Sequence, residues 1–99
     1  MQRSLNDITQ EELIEVENLA GLFFSPREIS VMLELHLPEI LEQLDTSEGN
    51  FHRAFQKGRL QNEVDLRKAI MQLARAGSSP AQTMAMNLLN KSKAKMLDR

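Results

Sequence analysis

Apolar residues recur every three or four positions along most of this chain, the spacing of helices with one buried face. Leu13, Val16, Ala20 and Phe23 fall on one stripe with Leu19 beside it, opposite Glu11, Glu15 and Asn18. Thr9 supplies a cap, and Glu11 and Glu12 place negative charge in the first turn. These signs predict a helix from Thr9 to Gly21 or Phe23. Ser25-Pro26-Arg27-Glu28 reads as a capping box with proline at the first helical position. It opens a second helix to about Leu35, with Ile29, Met32 and Leu33 as the buried stripe. His36-Leu37 forms a turn, and Pro38 starts a short third helix through Asp45 with Ile40, Leu41 and Leu44 on its apolar side.

The loop Thr46 to Asn50 leads into the longest proline-free stretch, Phe51 to Ala76. As one helix it would be about 39 Å long at about 1.5 Å per residue. Val64, Ala69, Ile70, Leu73 and Ala74 mark its stripe, Phe51 and Phe55 belong to the core, and either Asn50 or Ser47 caps its start. Gly77 suits a left-handed helix end. Ser79 then caps, and Pro80 opens, a last helix over 80–95 with Ala81, Met84, Ala85, Leu88, Leu89 and Met96 on one face. Small Ala81 and Ala85 permit close approach to the long helix. No stretch alternates with the period of two that a strand requires.

The pattern therefore predicts an all-α fold of about five helices. A helix-turn-helix-like unit over 25–45 packs on a long central helix (51–76) and a C-terminal helix. At 99 residues a single domain over 1–99 is expected, with 1–7 disordered. Its four aromatics are all Phe, so the core rests on Leu, Ile, Met and Ala, and association would supplement it.

Charge alters this picture. Residues 1–50 hold two bases against eleven acids, net −9, and residues 51–99 hold ten against three, net +7. The halves either offset each other within one chain, join copies head to tail, or leave the basic half for a polyanion. The third helix carries Glu39, Glu42 and Asp45 and no base, so it is repelled by duplex phosphates, and only Gln43 is suited to a base edge. At about 100° per residue, Arg53, Lys57, Lys68 and Arg75 share one sector of the long helix, while Arg59 and Arg67 point away. With Lys91, Lys93 and Lys95 they form a candidate phosphate-binding face for double-stranded DNA.

There is no Cys, which excludes disulfides and thiolate metal sites and suits a reducing cytoplasm. His36 and His52 have no companions at metal-ligand spacing. No nucleophile elbow or phosphate-cradling glycine loop is present, so neither catalysis nor a cofactor is expected. The first dozen residues lack an apolar signal core, and the longest apolar run, Leu19 to Phe24, is too short to span a bilayer.

SPREISVMLEL, and after a short helix FHRAFQKGRLQNEVDLRKAIMQLARAGSSPAQTMAMNLL, together resemble small terminase-like proteins of tailed phages and prophages. The likeness rests on Glu28-Ile29-Ser30 with Leu33, Phe55 to Gly58-Arg59, Ala74 to Gly77, and Pro80-Ala81 to Leu88, and covers about Ser25 to Leu89. It implies DNA recognition for genome packaging by a ring-shaped homo-oligomer that presents DNA to a large terminase-like motor protein. The competing expectation is a self-associating module that sets its acidic half against the basic half of a neighbour, without DNA.

Overall fold

The computed structural model describes residues 2–97. Among these it holds five α-helices: α1 (Gln10–Gly21), α2 (Pro26–Leu33), α3 (Leu37–Thr46), α4 (Asn50–Arg75) and α5 (Ser79–Leu97). The all-α expectation holds. The described chain falls into two compact units that meet between Asn62 and Glu63, and α4 contributes to both.

Local chemistry places the ends of α1 and α2. The Thr9 and Ser25 hydroxyls accept from the Glu12 and Glu28 amides, and each Glu returns the bond to the cap's own N–H. The Ser25 amide and hydroxyl hold the Glu28 carboxyl below its usual range. α2 stops earlier than the pattern suggests. Glu34 takes a left-handed conformation, φ 56°, which turns Leu35 inward. α1 stops at Gly21, the earlier of the two ends expected, so Phe23 leaves the stripe at φ 68° and lies half exposed, while Phe24 packs on the core.

The first unit has a continuous core of Leu5, Val16, Ala20, Ile29, Leu35, Ile40 and Phe51. The Phe51 and Phe55 rings stack with centroids 6.0 Å apart. α1 crosses α4 where glycine permits backbone contact. A Cβ on buried Gly58 would lie 2.0 Å from the Glu17 carbonyl oxygen. Gly58 therefore breaks nothing; it lets α4 run on while α1 lies against it. Beside this crossing the Asn62 side-chain amide donates to the Gly21 carbonyl.

The N-terminal segment corrects the expectation of disorder over 1–7. From residue 3 to residue 7 it is fixed to the unit: the Arg3 amide donates to the Glu34 carbonyl (2.7 Å), the His36 amide donates to the Arg3 carbonyl (2.8 Å), and Leu5 is only 3% exposed. Glu39 accepts from the Ser4 hydroxyl and the Leu5 amide. The Arg3 guanidinium makes a bidentate pair with Glu12 and donates to the Leu33 carbonyl. The Arg3 guanidinium, helped by the Thr9 donors, lowers the Glu12 pKa from 4.5 to about 2. Met1 lies outside the described residues.

The second unit comprises the last half of α4, the turn at Gly77 and α5. Gly77 has φ 102°, and the Ser78 amide closes back on the Leu73 carbonyl (3.0 Å). The cap of α5 is Ser78, whose hydroxyl accepts from the Ala81 amide, one residue earlier than the Ser79 expected. Burial here is slight. Ala81, the close-approach residue foreseen, is 4% exposed, and Ile70, Ala74, Ala85 and Leu88 are half-buried.

Candidate interaction site

Of the residues proposed from sequence for nucleic acid, Gln43 is committed elsewhere. Its Oε1 accepts from the Phe51 amide (2.9 Å) and the His52 amide (3.2 Å), and its Nε2 donates to Asn50 Oδ1 (3.3 Å). It is the cap of α4, reaching back from α3 to amides that a helix start leaves unpaired. Gly49 stands aside for it: a Cβ there would meet the Gln43 side chain at 2.3 Å. Both ends of the Gln43 amide are thus occupied within the chain. Asn50, one of the two caps expected, also accepts from the Phe51 amide.

Arg53 and Lys57 lie exposed on the first unit, flanking a groove with Leu13 and Ile14 of α1. Lys57 Nζ is 3.8 Å from Glu17, so an acid of the same unit already partly answers it. Arg59 turns inward. Its guanidinium sits 4.9 Å from the Phe55 ring centroid and 5.7 Å from that of Phe23, and donates to the Phe24 carbonyl (3.4 Å). This stack explains why Phe23 stays at the surface of the first unit.

Lys68, Arg75, Lys91 and Lys93 are exposed on the second unit. Lys68 and Arg75 flank a shallow groove on α4, together with Val64, Arg67, Met71 and Gln72. Arg67 was expected to face away. It joins this group because it precedes Met71 by four residues and Arg75 by eight, a spacing legible in the sequence. Arg67 also lies 3.7 Å from Glu63, both ends about half exposed, a pairing of small energetic weight. The structure thus gathers Arg67, Lys68 and Arg75 on one groove, and puts Arg53 and Lys57 on the other unit.

The same unit exposes many of its large apolar side chains. Val64 and Leu73 of the expected stripe, and Met84, Leu89 and Met96 of the expected α5 face, are exposed, as are Leu66, Met71 and Met86. On the first unit, Met32 and Leu41, expected to be buried, are also exposed, as are Val31 and Ile14. A periodic stripe marks which side of a helix is apolar; it does not say whether this chain covers it.

Divided at Asn62, the sequence carries five bases and eleven acids in the first unit, net −6, and seven bases and three acids in the second, net +4. Among the described residues no group of three or more His, Asp or Glu is placed to hold a metal ion. No helix among them is long and apolar enough to cross a membrane. Comparison with known proteins finds no matching family model, no matching curated protein and no matching solved structure.

Proposed function

We propose that this chain is a non-enzymatic self-assembly module whose C-terminal hairpin is completed by other copies. The observation that carries the reading is the balance of burial in that hairpin. Among its described side chains, from Glu63 on, one, Ala81, is almost completely buried, while eight large apolar side chains remain exposed. A two-helix piece with so little of its own core gains stability chiefly from further packing, and exposed large apolar side chains are what such packing would cover. The opposite charges of the two units add a means of orientation between copies, since complementary potentials steer encounter and fix register. Light scattering tests this. The expected mass is a multiple of 11.3 kDa that grows with concentration; a steady 11.3 kDa to high concentration refutes it.

A second reading is favoured by the exposed cations Lys68, Arg75, Lys91 and Lys93. In it the assembled module binds duplex DNA through phosphate contacts, as the resemblance to small terminase-like proteins suggests, and hands DNA to a packaging motor. The acidic α3 is not the reader in this scheme. Duplex binding should fall steeply with salt, because each phosphate contact releases counterions. A free-DNA band unchanged by the protein in a low-salt gel shift refutes it.

A further inference from the structure

We propose that the groove on the second half of α4 receives helix α3 of a second copy, joining copies head to tail. The inference rests on the self-assembly reading and names the contact that orients it. Val64 and Met71 supply the apolar positions of the groove, with Arg67, Lys68 and Arg75 beside them. From Val64 to Arg75 the groove runs about 16 Å at about 1.5 Å per residue, and the ten residues of α3 span about 15 Å.

α3 has the complementary face. Pro38, Leu41, Glu42 and Asp45 are spaced three, one and three apart, which puts them on one side, and all four are exposed. Leu41 is 45% exposed between acids, and Glu48 follows just beyond the helix end. α3 carries no Lys or Arg. An apolar knob among carboxylates thus meets an apolar floor among cations, the arrangement by which an amphipathic helix is held in a groove.

Other occupants fit less well. Ile14 of α1 is also exposed, but Arg53 and Lys57 line the surface beside it, so its carboxylates already have cations at hand. A second hairpin brings another unit of net +4. Nucleic acid matches the cations but gives Val64 and Met71 no apolar partner. The contact joins two different surfaces, so it closes into a ring or continues as a filament.

The test uses two full-length variants with charge reversals at exposed positions, K68E/R75E in the groove and E42K/D45K on α3. Far-UV circular dichroism establishes that both fold, and sedimentation velocity reads their assembly. Each variant alone should associate at least tenfold more weakly than the wild type. An equimolar mixture should recover assembly, because each reversed surface finds its complement on the other variant. Wild-type-like association of either variant alone overturns the contact and leaves self-assembly standing. Failure of the mixture to recover also overturns it. A wild type that stays monomeric removes the self-assembly reading, and this contact with it.

Discussion

Gly58→Ala probes the fold at its tightest point. The added methyl would stand 2.0 Å from the Glu17 carbonyl oxygen, whereas real Cβ atoms essentially never come within 3.0 Å of a neighbour. That neighbour is backbone, so rotamer changes give no relief, and α1 must move away from α4 by about 1 Å. The movement loosens Val16 and Ala20, both fully buried. Overpacking of this kind costs about 3 kcal/mol at the upper end of its usual range. Alanine returns about 1 kcal/mol through its better helix propensity. The net loss is about 2 kcal/mol, or about 8–16 °C in melting temperature at roughly 4–8 °C per kcal/mol for a domain this small. Thermal unfolding followed by far-UV circular dichroism measures it. Gly77→Ala is the control: φ is 102°, but the new methyl meets nothing within 4 Å, so only the backbone strain of about 1 kcal/mol applies. A Gly58→Ala protein as stable as the wild type would refute the close crossing of α1 and α4.

Other substitutions test neighbouring parts of the account. Leu5→Ala should cost about 2–4 kcal/mol in chemical denaturation, as a buried leucine does; a loss under 0.5 kcal/mol would mean that the N-terminal segment is not part of the core. Gln43→Ala should destabilise by about 1 kcal/mol through loss of the α4 cap while leaving any DNA affinity unchanged; a selective loss of DNA binding would restore Gln43 as a contact. Glu12 has a depressed folded pKa, so its contribution is present above its unfolded value of 4.5 and is lost as pH falls towards about 2. Glu12→Gln should therefore flatten the fall in stability between those pH values, and an acid profile identical to that of the wild type would count against the Arg3–Glu12 pair.

The residues that define helix ends were readable because their chemistry is local. Thr9 with Glu12, Ser25 with Glu28, and Gly77 each act within a few positions along the chain. The attachment of Arg3 to Glu34 and His36 spans more than thirty residues and leaves no periodic trace, so the sequence alone predicts disorder over 1–7. Gln43 hides its capping role for a related reason. Its residue type suits a base edge, whereas the two amides it serves lie eight and nine positions ahead. The apolar stripes of α4 and α5 were legible as stripes. Their exposure was not, because amphipathicity records a need for cover and leaves the source of that cover open.

Completion of the C-terminal hairpin by other copies carries the proposed function, and α5, which lies wholly within that hairpin, reports on it. Hydrogen exchange of its backbone amides at two protein concentrations addresses that directly. Protection in α5 should rise with concentration while the amides around Val16 and Ile29 hold constant, since their core is complete within the first unit. Equal protection of α5 at both concentrations, in a protein that remains at 11.3 kDa, would contradict it.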